Sequence, residues 1–596
     1  MLQSDEISLC VSIKLRLRMS SSHLPGHSLH EAGIALRNDD RDRSDTSMAR
    51  GLILLLLQAA LVACATAQFA GTQQLPRHPL VEIELEQWQR VGKPSSGAEA
   101  MEVTFAIKQT NLDALERKLK MASTPGSSEY GNYLTFKEMA KSAYGRPESV
   151  GAVLRALATV GIDLEEVEFT PAKEYATVKM PVSAIEQLFA AEMLVYEREG
   201  KRIVRSKKFT LPKSLIGHVD FVSGVDSFPP RSLVFSTREQ NFQPNDSDPT
   251  MVNPDVIYKD YSIGNYSTSN PATTQAIGSF LFQFFNSTDL NLFQEKFKVP
   301  LNPIAKVVGF DDPVFPGVEA DLDVEYITSI GRNSTTWVEY VVDGFIDSWT
   351  KLVLNLSDSA PLVHSLSYGN RELFYPHSYL ERTNADLMKI AMSGRSVLVA
   401  SGDSGVDCYQ GKYLPVFPTS SPYVTSVGGT NRTKNGTMST WELGGGGFSN
   451  YFPTADFQKE VVEKYLQGGT APDSKYFNQS GRAYPDVSAY ANNCEVVLGG
   501  MPLVVGGTSC AAPIVAGVVS LLNDVLLNNN KSPLGFLNPI LYADQGEGMI
   551  DITTGNNAGF SGHKCGGGFR AIPGWDPATG WGSPNFAKLK ELLQHF

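Results

Sequence analysis

The chain has 596 residues, 42% of them hydrophobic and 19% charged, with a net charge of −12. That length divides into more than one hydrophobic core. The acidic balance, with no long Lys/Arg run to offset it, excludes a nucleic-acid partner, because phosphate binding needs clustered cations.

Residues 1–47 are rich in Ser, Arg and Asp and lack apolar periodicity. They read as a disordered or wrongly assigned leader ahead of a start at Met48, with a genuine long leader as the alternative. Residues 48–67 form a signal peptide. Arg50 supplies the positive flank, Leu52 to Leu61 an apolar stretch interrupted by Gln58, and Ala65-Thr66-Ala67 a cleavage site before Gln68. The run is short for a membrane span and no other segment approaches ~18 uninterrupted apolar residues, so no membrane partner is expected. Sequons begin at Asn245, Asn265, Asn286, Asn333, Asn355, Asn431, Asn435 and Asn478, and a ninth at Asn530 is compromised by Pro533. Together they favour the secretory pathway. Cys408, Cys494, Cys510 and Cys565 remain after removal of the leader segments. An even number permits two disulfides in an oxidising compartment, or buried free thiols.

Residues 72–223 mix strand-like runs (Met101–Ile107, Tyr175–Met180, Ile203–Phe209) with helical stretches (Leu112–Met121, Glu148–Val160, Ser183–Leu188), which predicts a small α+β domain. Residues 224–250, with Pro229-Pro230, read as an exposed linker. From 251 to 596 apolar strand runs (Ala305–Phe310, Pro361–Ser367, Ser396–Ser401) alternate with helices (Leu380–Met392, Ile514–Leu527). That pattern predicts a parallel sheet covered on both faces.

The chemistry-bearing residues fall in this last domain. Glu319 and Asp323 are four apart, so on a helix their carboxylates share a face; a solvated acidic helix end is the plainer reading. Asp403 lies in a loop just past a buried strand, where open α/β sheets bind ligands, or serves as a turn residue between glycines. Ser509, in Gly507-Thr508-Ser509, opens a helix, where free N–H groups favour a nucleophile or oxyanion; a simple helix cap is the alternative. His364, His377, His563 and His595 sit in unrelated contexts, which leaves carboxylates as the available bases and an acid medium as the matching one.

Glu319-x-x-x-Asp323, Ser401-Gly402-Asp403-Ser404-Gly405 and Gly507-Thr508-Ser509, in this order, resemble the sedolisin family of serine-carboxyl peptidases. Ser365-Leu366-Ser367-Tyr368-Gly369, Gly445-Gly446-Gly447-Phe448-Ser449-Asn450 and Gly574-Trp575-Asp576-Pro577 add to the likeness, which spans about residues 75–596. Gly506, where the family often has Ser, and Cys510 are departures that remove no catalytic group.

The resemblance implies a subtilisin-like α/β catalytic domain preceded by a ferredoxin-like activation pro-domain, which folds against the catalytic cleft and is cut off in acid within the 224–250 linker. It implies that Glu319 deprotonates Ser509, that Asp323 orients Glu319, and that a protonated Asp403 donates to the oxyanion. It also implies calcium at Asp551, Ile552, Ile572, Gly574 and Asp576, and a Cys408–Cys565 disulfide that leaves Cys494 with Cys510. Partners would be peptide or unfolded-protein substrates and the chain's own pro-domain, in a lysosome, an acidic vacuole or outside the cell. Within the family, the lysosomal branch that releases tripeptides from free N-termini is the nearer likeness. A secreted endopeptidase and a catalytically silent binding protein are the competing readings.

Overall fold

This computed structural model describes residues 79–97, 99–229, 238–240, 247–312, 314 and 316–593, within one compact unit, Gln68–Phe596. The expected leader, signal peptide, Asn245 sequon, His595 and most of the linker lie outside the described residues.

The N-terminal segment is α+β. Strand β1 (Ala100–Ile107), helices α1 (Leu112–Ser123) and α2 (Pro147–Thr159), strands β2 (Glu168–Phe169) and β3 (Tyr175–Pro181), helix α3 (Val182–Phe189) and strand β4 (Val219–Ser223) follow in turn. Across the sheet the order is β2–β3–β1–β4, all antiparallel, which is the ferredoxin-like order. The strand expected over Ile203–Phe209 is found at Lys201–Arg205. It stops there because the Ser206 hydroxyl donates to the Lys208 carbonyl and accepts from the Lys208 N–H, which turns the chain.

The linker contributes β5 (Arg238–Gln240). Beyond it come β6 (Thr274–Phe280), α4 (Ser287–Lys296), β7 (Ile304–Val308), α5 (Val318–Ile330), β8 (Thr335–Val341) and α6 (Ile346–Leu356). Next are β9 (Val363–Leu366), α7 (His377–Met392), β10 (Ser396–Ala400), β11 (Thr425–Arg432), β12 (Met438–Thr440) and β13 (Val487–Tyr490). A hairpin of β14 (Cys494–Leu498) and β15 (Met501–Gly506) leads into α8 (Thr508–Asn528). The eight-stranded sheet runs β7–β8–β6–β9–β10–β11, with β12 and β13 both on β11. Only the β11–β12 pair is antiparallel. Strands β9 and β10 are buried at every position. Parallel strands are covered by helices on both faces, which is why β10 is apolar from Val397 to Ala400 and why His364 and Ser365 of β9 are buried as well. Helices α5 and α8 pack together on one face, and α6 and α7 on the other. Helix α8 is apolar and long enough to cross a membrane by composition, but 89% of its apolar window is buried inside the protein.

The two segments share one interior. On β1, Val103, Phe105 and Ile107 enter the N-terminal segment's own core, while Ala106 and, on α1, Leu115 and Leu119 join the larger one. The alternation of a strand sends neighbours to opposite faces, so one strand serves both cores. Polar contacts seat the segment on α7. Lys389 donates to Glu174 Oε1 at 2.9 Å, Arg382 to the Ile107 and Glu174 carbonyls, and the Tyr175 hydroxyl to Asp386 at 2.7 Å. On α6, Asp347 accepts from the Ser223 hydroxyl. The segment was expected to fold against the catalytic cleft. Its body packs on α6 and α7, Lys201 reaches over Phe282 just past the carboxyl end of β6, and among the described residues the linker strand β5 pairs with the strand ahead of Ser509.

Candidate active site

Ser509 sits in the first turn of α8, fully buried, and its Oγ has no hydrogen-bond partner among the described residues. The turn is built for close approach. A Cβ on Gly507 would lie 3.1 Å from Asp403 Oδ2. Asp403 follows β10 and is anchored through Oδ1, which accepts from the Thr508 N–H at 2.7 Å and the Thr508 hydroxyl at 2.9 Å. That hydroxyl also accepts from the Gly402 N–H. Gly445 packs on the same loop, where a Cβ would meet the Ser401 carbonyl at 2.0 Å. Gly445 is therefore a spacing requirement of the Asp403 loop, while Gly446 lets the chain pass the Pro577 carbonyl.

Glu319 and Asp323 lie on α5, and both are buried. The solvated acidic helix end is thereby excluded. Asp323 Oδ1 accepts from the Ser367 hydroxyl at 2.7 Å. Burial, then the charge of Glu319 beside it, pushes the Asp323 carboxyl well above its usual range, and the Ser367 bond opposes this. Tyr368 is raised by burial and then by the same two acids. Ser367 and Asp403 follow neighbouring parallel strands, β9 and β10, so the carboxyl edge of the sheet assembles both. The Cys510 thiol, next to Ser509, is raised by burial, by Cys494, and then by Glu319 and Asp403. The carboxylates of α5 and of the β10 loop thus converge on the start of α8.

No histidine is bonded to Ser509 among the described residues. His364 is buried against Glu339 (3.2 Å), His563 is exposed beside Glu442, and His377 lies against Tyr451 with the rings tilted. Cys408 and Cys565 form the expected disulfide. The leftover pairing is corrected: Cys494 and Cys510 are buried free thiols. Cys494 is fixed in the β14–β15 ladder opposite Val505 and Cys510 in the first turn of α8. Burial also disfavours the thiolate that disulfide exchange requires.

In the C-terminal turns the Gly574 N–H donates to Asp551 Oδ2 at 2.8 Å, and Asp576 is buried and accepts from the Ile572, Ala578 and Thr579 N–H groups. Ile552 is buried beside them. The sequence reading missed Thr508 as the anchor of Asp403 and Ser367 as the partner of Asp323. Both lie inside motifs already singled out, at the carboxyl ends of strands or one residue from the nucleophile, and that position was the available signal.

Residues 86–228 match the pro-kumamolisin activation domain and residues 324–534 the subtilase family. The tripeptidyl-peptidase 1 of Rattus norvegicus is 38% identical over 529 residues, covering 83% of this chain and 92% of that protein. The chain belongs to the sedolisin family of serine-carboxyl peptidases. Within the family, the tripeptidyl-peptidase 1 of Homo sapiens is 36% identical over 533 residues, 85% of this chain and 94% of that one. Among solved structures, Pseudomonas sedolisin complexed with pseudo-iodotyrostatin is 25% identical, with a TM-score of 0.48, over 58% of this chain and 98% of that chain. A sedolisin-type serine-carboxyl peptidase made with its own activation domain is the function established by this membership.

Proposed function

We propose that the protein is an acid peptidase that releases tripeptides from free N-termini, with Ser509 as nucleophile, Glu319 as its general base, Asp323 orienting Glu319, and Asp403 as donor to the oxyanion. The observation that carries this reading is the anchoring of Asp403 by Thr508, one residue before Ser509. Oδ1 already accepts two donors, so a proton on a neutral Asp403 belongs on Oδ2, the oxygen facing the Gly507 turn. In the reaction Glu319 takes the Ser509 hydroxyl proton as Oγ adds to the scissile carbonyl, and the Asp403 O–H stabilises the developing oxyanion. Glu319 then gives the proton to the leaving amine, and water repeats the cycle on the acyl-enzyme.

The reaction needs Glu319 ionised and Asp403 neutral together. Activity is therefore bell-shaped and centred in acid, roughly pH 3.5–5.5 for carboxyls with ordinary values near 4. Coupled carboxyls make the two limbs properties of the set. Tripeptide release rests on the likeness to the tripeptidyl-peptidases. The zymogen state is supported by β5, which pairs with β15 so that Arg238 lies opposite Gly506, just ahead of Ser509.

Calcium would be held by the Asp551 and Asp576 carboxylates with the carbonyls of Ile552, Ile572 and Gly574, an oxygen set that suits a hard cation. The residues fit: the Asp551–Gly574 bond brings the two turns together, and no ion pair neutralises buried Asp576 among the described residues. The ion would tie those turns together. The signal at 48–67 and the sequons support passage to a lysosome, an acidic vacuole or the exterior. Asn265, Asn333, Asn355 and Asn435 are exposed sequon asparagines, although the Asn333 amide, like those of Asn431 and Asn478, is donated to a backbone carbonyl.

The test uses purified, acid-processed enzyme on free and N-terminally blocked peptides. Ser509→Ala should lose activity by far more than tenfold, a barrier change beyond about 1.4 kcal/mol. Blocking should suppress cleavage of the wild type. A neutral optimum overturns the carboxylate mechanism; equal internal cleavage of blocked peptides in acid overturns tripeptide release and leaves an endopeptidase.

A further inference from the structure

Helix α5 carries acids at every second position: Glu319, Asp321, Asp323 and Glu325, all buried. At about 100° per residue, Asp321 and Glu325 form a second i,i+4 pair on the side of the helix away from Glu319 and Asp323. The reaction makes no use of them. They reach across to other elements. Asp321 Oδ1 accepts from the Asn286 N–H, at the start of α4, at 2.7 Å. Both oxygens of Glu325 accept from the Val497 N–H in β14, at 3.2 and 3.1 Å. Asp289, buried on α4, accepts from the Gly499 and Gly500 N–H groups at 2.7 Å each. Those two glycines, both at positive φ, are the turn of the β14–β15 hairpin. Glu325 and Asp289 therefore hold the hairpin whose second strand runs into Ser509 and carries the linker strand β5, and Asp321 holds the start of the helix that presents Asp289.

The groups facing this set are themselves acidic or neutral. Asp321 meets Asp289 from α4, Glu325 from its own helix, and Tyr340 from β8, which also approaches Asp311. Glu325 meets Asp289, Asp321 and its neighbour Tyr326. Glu495, the other acid of β14, is paired with Lys296 from the end of α4. Asp321 Oδ2 is buried and has no hydrogen-bond partner among the described residues. The oxygens are spread over separate N–H groups, and among the described residues no three such side chains are placed to hold a metal. Protons are what this arrangement can retain.

We propose that Asp321 and Glu325 form a proton-loaded pair which, together with the Asp289 carboxyl that bonds the turn, makes a clasp that positions the β14–β15 hairpin, and through it Ser509, and that releases the hairpin as pH rises. The three are positioning residues. The inference rests on the acid peptidase reading for its consequence, and on the geometry alone for its existence. Burial and then the like charge of Asp289 push Asp321 up to about 8; burial and then Asp321 raise Glu325 well above the carboxylate range. A carboxyl raised by folding lends stability that is complete below its unfolded value near 4 and is lost as pH climbs towards the folded one.

Hydrogen exchange of the full-length Ser509→Ala zymogen, read on peptides spanning 494–506 at pH 5 to 8, tests this. After correction for intrinsic exchange, hairpin opening should rise about tenfold per pH unit for each retained proton. In the same chain carrying Asp321→Asn and Glu325→Gln, the pH slope should vanish while acid protection stays. A flat wild-type slope overturns the clasp, as does a variant that keeps the slope; if the variant does not fold, the wild-type slope decides alone. Residual peptidase activity in Ser509→Ala would sink the catalytic reading and leave the exchange result standing.

Discussion

At the residue scale, Asp403 separates two functions that a carboxyl can combine. Its Oδ1 accepts from the Thr508 N–H and hydroxyl, which fix the side chain, and its Oδ2 faces the Gly507 turn, where the proposed mechanism has it donate to the oxyanion. Asp403→Asn keeps an acceptor on one side and a donor on the other at every pH, so it should extend the alkaline limb of kcat/KM upward while preserving most acid activity. Asp403→Ala removes the donor and should cost roughly 10²–10³ in kcat, as loss of one oxyanion donor does elsewhere. A pH–rate profile of both variants checks this; an unchanged alkaline limb in the Asn variant would assign that limb to another group. Ser367 acts the other way, since its hydroxyl holds the Asp323 carboxyl below where burial alone would put it.

At the element scale, α7 is the seat of the activation domain. Lys389 and Arg382 are buried there only because Glu174, Asp386 and two backbone carbonyls receive them. Burial works against the Glu174 carboxyl, but Lys389 and Thr170 outweigh it and hold its pKa below the usual value. A lowered carboxyl contributes stability above its unfolded value, near 4.5, and loses it as pH falls through the folded one. Acid therefore loosens this contact. Asp347 has the opposite sign: burial and then Asp343 raise it to about 6, so it favours the docked state at pH below that. Glu174→Gln removes the carboxylate bonded to Lys389 and leaves Asp386, shared with Arg382, as its remaining counter-charge, a loss below the about 3–5 kcal/mol of a fully unpaired buried charge. The zymogen variant should release and cut its pro-domain at higher pH than wild type, followed by gel analysis across a pH series. Processing at an unchanged pH would mean that α7 does not gate activation.

At the scale of the whole molecule, the calcium reading makes a stability claim independent of catalysis. Elemental analysis should find about one calcium per mature chain. Chelation or Asp576→Ala should lower Tm, with excess calcium restoring the chelated wild type but not the variant; metal-free protein with an unchanged Tm would remove the site. What the sequence by itself determined is local. The shared face of Glu319 and Asp323 follows from helix geometry, the placement of Ser509 at a helix start from the Gly507 turn, and the placement of Asp403 from a strand end. Strand β10 was legible because it is apolar from Val397 to Ala400, and β9 because apolar Leu362, Val363 and Leu366 frame the buried His364 and Ser365. Strands β6 and β8 were not, since Gln275 and Glu339 interrupt them; in the fold both are buried, with Gln275 Nε2 donating to Thr336 and the Ile327 carbonyl and Glu339 Oε2 accepting from the Trp349 indole. Tertiary structure alone decided the free state of Cys494 and Cys510, the docking of the activation domain on α6 and α7, the pairing of β5 with β15, and the second acid pair's grip on the hairpin. Each depends on which distant strands and helices become neighbours. That is set by the order of crossovers in the sheet and by the joint burial of two cores, and no spacing along the chain encodes it.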